Sequence, residues 1–282
     1  MKNPAYYKTK KVVVNTIIHI FLLTVAISCI FPLLWMIGSS LKTQATVFSD
    51  MSLIPRQMHW ENYYLAWQRG GFGRYFLNSI LYTTSVVIGI IIVSSLAAYA
   101  FSRFSFPGKN VIFYAFMAAM MIPIPGSFVP LYILLNKLHL RNTRLGYILC
   151  MINVGLSTSI FLLKTFFDKM PRELEDAARI DGCSKLGIWW NVALPLSKPV
   201  LAVVVVFNAL NVWNEYVLAL IIFDSKHLMP LQTALMMFQG EFITQYPLLM
   251  AGLTITALPI IIIYMLMQKY IVKGVTQGAV VG

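Results

Sequence analysis

Apolar runs of twenty or more residues recur along this chain, parted by shorter polar segments. They lie at about 12–37, 76–101, 111–135, 145–167, 200–223 and 247–268, and each supplies the roughly 20 helical residues that cross a hydrocarbon core about 30 Å thick. Pro32, Gly89, Pro123, Pro125 and Pro259 fall inside these runs. Neighbouring helices can satisfy the backbone groups such residues free, so they are compatible with spanning helices. Of the 282 residues, 59% are hydrophobic and 11% charged, whereas a soluble domain carries about 25% charged residues to face water. The expected fold is therefore all-α: six transmembrane helices in one bundle, forming a single membrane domain over residues 1–282.

The formal net charge of +12 does not indicate nucleic-acid binding, because the basic residues sit in short segments between apolar runs rather than on one soluble face. There they orient the chain, since inner loops carry the excess of Lys and Arg. With both termini inside, the inner segments hold Lys2, Lys8, Lys10, Lys11, Arg103, Lys109, Lys164, Lys169, Arg172, Arg179, Lys185, Lys198, Lys269 and Lys273. The outer segments hold the smaller set Lys42, Arg56, Arg69, Arg74, Lys137, Arg141, Arg144 and Lys226. Cytoplasmic termini follow for a multi-pass membrane protein. Cys29, Cys150 and Cys183 show no paired spacing, and with the 4 histidines they build neither a metal site nor a disulfide framework. The first run follows a basic start but exceeds the core of a signal peptide. Ala26-Ile27-Ser28-Cys29 is loosely like a lipoprotein cleavage box, yet the apolar run continues past it, so an uncleaved anchor is expected.

Two segments exceed ordinary loop length. The outer one, 38–75, carries Trp60, Tyr63, Tyr64 and Trp67 at helical spacing, as a short interfacial helix would. The inner one, 168–198, reads as a helical hairpin. Pro171 suits a first helical position. Glu173, Glu175 and Asp176 complement the positive end of the helix dipole, and Gly182 suits a left-handed cap. A second short helix fits Leu186 to Ala193, with Pro195 breaking it. Ala177 and Ala178 allow a partner surface to approach the backbone, and the flanking carboxylates can pair with basic groups on it. Such a knuckle, joined to two spanning helices, would turn a push into a tilt. The alternative, an amphipathic hairpin resting on lipid headgroups, sits poorly with the acidic cluster.

This segment resembles the EAA loop of ABC importer permeases: Glu-Ala-Ala, three residues, Gly, nine residues, Ile-x-Leu-Pro. Here Asp176-Ala177-Ala178, Gly182 and Val192-Ala193-Leu194-Pro195 keep every spacing, with Asp for Glu and Val for Ile. Asn62-Tyr63, Arg74 to Ser79, Pro130-Leu131-Tyr132, Trp213-Asn214-Glu215-Tyr216 and the tail Gly274 to Val280 resemble the carbohydrate branch, of the six-span maltose-transporter type, and the resemblance runs nearly end to end with its core at 72–268. The resemblance implies a heterodimer with a second permease, two ATPase subunits, and an extracytoplasmic sugar-binding protein that delivers a sugar or oligosaccharide. It also implies that ATP and Mg are bound by the partner ATPases, with no cofactor and no catalysis in this chain. No Gly-x-x-x-x-Gly-Lys-Ser/Thr phosphate loop occurs in the sequence, in keeping with ATP chemistry supplied in trans. Glu175, Asp176, Ala177, Ala178, Asp181, Gly182, Val192, Leu194 and Pro195 are the expected ATPase-coupling residues.

Glu215 is the one carboxylate placed inside an apolar run, about 22 Å from the inner end by helix rise. Asn208, Asn211 and Glu215 follow at three and four residues, with Asn214 beside them, as one polar face. Intramembrane acids usually face a bundle interior or a pathway. The expected role is therefore a translocation route or outer gate, against the alternative of a helix–helix contact. Two other functions stay open: an ABC permease for a non-sugar solute, and an ion-coupled secondary transporter with Glu215 as proton site.

Overall fold

The computed structural model describes residues 4–121, 124–239 and 244–279. Its helices, in chain order, are α1 Pro4–Ser40, α2 Glu61–Arg69, α3 Phe72–Arg103, α4 Lys109–Ala119, α5 Phe128–Lys137, α6 Arg144–Lys169, α7 Glu173–Ile180, α8 Lys185–Ile188, α9 Leu194–Leu196, α10 Lys198–Asn214, α11 Val217–Ile222, α12 Leu231–Ala234 and α13 Tyr246–Ala279. Among the described residues the only β pairing is the isolated bridge Gln239–Thr244. Of the resembling segments, Val280 lies outside the described residues, as do Lys2 and Pro123.

Among the described residues, four helical stretches are long and apolar enough to cross a membrane: Val12–Ser40, Phe72–Arg103, Arg144–Lys169 and Tyr246–Gln268. They coincide with the first, second, fourth and sixth expected spans. The remaining two differ from the expected continuous helices. Over 111–135, α4 ends at Ala119, a 3₁₀ turn covers Ile124–Ser127, and α5 begins at Phe128. Pro125 lies in that turn, where its missing N–H and ring oppose an α-helical continuation. Over 200–223, α10 stops at Asn214, Glu215 is extended (φ −74°, ψ 129°), and α11 restarts at Val217. At its other end, Lys185–Leu196 and Lys198–Asn214 meet at 79° and together count as one further candidate span.

The chain divides into two compact units. The first comprises Met1–Gly70 and Met237–Ile255. Here the end of α1 is anchored by polar contacts: Ser40 Oγ meets Tyr63 Oη at 2.7 Å, and the Asn62 amide donates to the Ser40 and Lys42 carbonyls. Lys42 is buried and donates from Nζ to the Asp50 carbonyl at 2.5 Å. Gln44 clamps the start of α13, donating to Thr244 O and accepting from Tyr246 N. The aromatic residues expected on a short helix are on α2 and at its start, with Trp60 and Tyr64 largely exposed. By contrast, the apolar window of α1 is unburied within this chain.

The second unit comprises Gly71–Met236 and Thr256–Gly282. Its centre is α3 packed on α6, with α10 against both. Lipid is as apolar as leucine, so close packing and polar contacts, rather than water exclusion, hold such helices together. Small residues provide the approach: a Cβ on Gly89 would come within 2.5 Å of Ile152 Cδ1. Tyr82, Tyr147 and Phe223 form an aromatic cluster, with Tyr82 and Tyr147 centroids 4.7 Å apart. Near the start of α3, the Asn78 amide donates to the His227 and Met229 carbonyls, Tyr82 Oη donates to Leu228 O, and Leu231 N donates to Ser79 Oγ. Asn142, with φ 54°, accepts from Asp224 N and Ser225 N and ties the turn before α6 to the segment after α11.

Candidate functional site

The hairpin expected at 168–198 forms. Its first helix, α7, starts at Glu173, two residues after the expected Pro171, with the Arg172 carbonyl accepting from Glu175 N and Asp176 N. Glu173, Glu175 and Asp176 occupy the first turn, where carboxylates complement the helix dipole. The helix ends in a Schellman motif: Gly182 N donates to Arg179 O and Cys183 N to Ala178 O. Gly182 has φ +84°, a conformation that costs other residues about 1–2 kcal/mol. This cap was legible in the sequence because it depends on neighbours alone.

The direction of each side chain was not. The nine expected coupling residues divide between two faces. Glu175 and Ala178 turn inward and are buried, and Val192 and Leu194 are partly buried. Asp176, Ala177, Asp181, Gly182 and Pro195 are exposed. Leu174, Ile180, Leu186 and Trp190 join the exposed face, Ile180 at 88%. The Asp176–Arg179 pair at 2.8 Å is open to water, so it contributes little to stability.

Glu175 meets Arg103 of α3: Arg103 Nε donates to Oε1, and both side chains are only 7% exposed. Tyr99 Oη donates to Glu175 Oε2 at 3.2 Å, and Arg103 Nη2 donates to the Met170 carbonyl at 2.7 Å. Removing one member of such a buried pair leaves an unpaired charge, at a cost of about 3–5 kcal/mol. Sequence reading missed Arg103 and Tyr99 here, because a basic residue closing an apolar run looks like an orientation signal.

The second arm begins with Ser184, whose Oγ accepts from Gly187 N at 3.1 Å. It does not end at Pro195 as expected. A π turn over Trp189–Ala193, with Leu194 N donating to Trp189 O, carries the helical path on through α9, and the break comes at Ser197. A π insertion shifts the bonding register locally, so the missing Pro195 N–H is tolerated there. Ile188, Trp189 and Ala193 bury against the second unit's core.

The polar face expected on the fifth span is split. Asn208 is buried; its amide donates to Ser159 Oγ at 3.0 Å and to Val204 O at 2.8 Å. Asn211 and Asn214 are exposed, and Asn214 Oδ1 accepts from Gln232 Nε2 at 3.2 Å. Glu215 lies at the helix break rather than on a continuous helix face, and its Oε1 accepts from Leu218 N at 2.5 Å, capping α11. Trp213 is buried and donates to Thr256 O at 3.0 Å. Among the described residues, no three His, Cys, Asp or Glu side chains converge as metal ligands. The chemistry available at both places is contact, hydrogen bonding and charge.

The fold is that of a bacterial ABC transporter "involved in the import of the acidic polysaccharide alginate", whose crystal structure matches with a TM-score of 0.82 at 23% identity, covering 93% of this chain and 98% of that chain. The family described as binding-protein-dependent transport system inner membrane component matches residues 90–277. The chain belongs to that family, the permeases of ABC transporters, and is a multi-pass membrane protein. It is 36% identical to the "Probable ABC transporter permease protein YurM" of Bacillus subtilis, over 95% of this chain and 89% of that protein. It is 31% identical to the "Diacetylchitobiose uptake system permease protein NgcG" of Streptomyces coelicolor, over 92% of this chain and 87% of that protein.

Proposed function

We propose that this chain is the permease subunit of an ATP-driven importer for a sugar or oligosaccharide, with the α7–α9 hairpin as the contact for a cytoplasmic ATPase. One observation carries the reading: α7 presents Asp176, Ala177 and Ile180 outward while its inner face is tied by Glu175 to α3. A surface open on one side and anchored on the other is what a force-receiving joint requires. The sugar assignment rests on the names of relatives such as the diacetylchitobiose permease and on the carbohydrate-branch motifs.

On this reading the chain forms one membrane domain of six spans, the third built from α4 and α5 and the fifth from α10 and α11. Both termini are cytoplasmic. A second permease completes the pathway, two ATPases bind ATP and Mg, and an extracytoplasmic binding protein delivers the solute; this chain is not catalytic. Asn211, Asn214 and Glu215 line or gate the route, while Asn208 serves packing between helices. Membership in the ABC permeases argues against the ion-coupled alternative.

The test is purification in mild detergent with the ATPase and the binding protein, followed by hydrolysis assays with candidate solutes. Co-purification and sugar-stimulated hydrolysis are expected. Stimulation by a non-sugar solute alone would replace the substrate class, and uptake without any ATPase would overturn the reading.

A further inference from the structure

We infer that Arg103 is the positioning residue through which movement of α7 reaches the rest of this subunit, its bond to Glu175 being the point of transfer. The inference rests on the reading of α7 as the ATPase contact.

One guanidinium joins three elements. Arg103 belongs to the last turn of α3, donates from Nε to Glu175 on α7, and donates from Nη2 to Met170 O where the chain leaves α6. Tyr99, one turn earlier on α3, donates to the other carboxylate oxygen. In α7, Glu175 is the acid that turns inward, whereas Glu173 and Asp176 are exposed. The pair is shielded from water, so pulling it apart would leave two buried charges uncompensated. The joint therefore resists being opened when α7 moves.

The other end of α3 holds a different segment. Asn78, Ser79 and Tyr82 take up backbone groups of residues 227, 228, 229 and 231. Between the two ends α3 runs 32 residues, about 48 Å at helical rise. It contains no proline. Gly89, at its middle, is held against Ile152. A rod gripped at both ends passes displacement from Glu175 to the 227–231 segment without requiring α6 or α10 to bend.

The test uses the full complex of this chain with its partner permease and ATPases in lipid nanodiscs. A fluorophore on Lys226→Cys reports on the far segment, with Cys29, Cys150 and Cys183 replaced by serine; Lys226 is exposed. Unsubstituted at 103 and 175, the complex is expected to change fluorescence on ATP binding. In Glu175→Gln and in Arg103→Lys the ATPase should still co-purify, while that change and the uptake per ATP fall about tenfold, a size typical of coupling between sites. An undiminished change in either variant with ATPase bound would overturn the inference. So would a loss of thermal stability with the change intact, which marks a purely structural pair. If Glu175→Gln does not assemble, Arg103→Lys, which keeps the cation, decides alone. Failure of the ATPase to co-purify with the unsubstituted chain would instead refute the reading of α7.

Discussion

Oδ1 of Asn208 in α10 lies so close to the backbone of Gly155 in α6 that a Cβ on Gly155 would come within 2.1 Å of it. The same Cβ would be 2.5 Å from Ile90 Cδ1 of α3, so three helices meet at a position that admits only hydrogen. Gly155→Ala is expected to destabilise the unit by about 1–3 kcal/mol, the usual cost of overpacking. Fluorescence-detected size exclusion after heating would show it, and an unchanged melting profile would contradict the geometry.

Asn208 makes two hydrogen bonds inside this junction. Asn208→Ala should cost about 1 kcal/mol, as for a buried hydrogen bond, and should relieve part of the Gly155→Ala penalty because the clashing oxygen is gone. Uptake per folded complex should stay near that of the unsubstituted protein. A large loss of uptake at normal stability would return Asn208 to the pathway.

Beyond its two chain neighbours, nothing lies within 4 Å of where a Cβ on Gly182 would sit, so its substitution probes backbone conformation alone. Gly182→Ala should cost about 1–2 kcal/mol locally, Gly182→Asn less, and Gly182→Pro should abolish ATPase co-purification. Equal co-purification across the series would show that the cap does not matter for the joint.

Ile180 is the most exposed large hydrophobic side chain of the hairpin. Ile180→Asp should leave folding within about 0.5 kcal/mol, as surface substitutions do, yet weaken ATPase binding strongly, since a charge would enter the contact unpaired. Retention of the ATPase through a detergent wash would refute this contact surface.

At the break before α11, Glu215 Oε1 accepts from Leu218 N. Glu215→Gln keeps an acceptor there and should assemble normally while uptake falls. Glu215→Ala should add about 1 kcal/mol of instability from the lost cap. Normal uptake in the glutamine variant would leave Glu215 a structural cap only.

Four spans and the knuckle were legible from residue order because their causes are local. Apolar length specifies a membrane helix, and a carboxylate-rich first turn and Gly182 bound α7. Local order also flagged Pro125 and Glu215 without saying that helices stop there, because proline and buried acid are both tolerated in spans when neighbours compensate. Tertiary structure alone decided that Glu175 faces Arg103, seventy-two positions away, that Asn208 is spent on Ser159, and that Asp176 and Ile180 remain outside. Helical periodicity specifies which residues share a face but not what that face meets. That choice belongs to side chains brought together from distant parts of the chain.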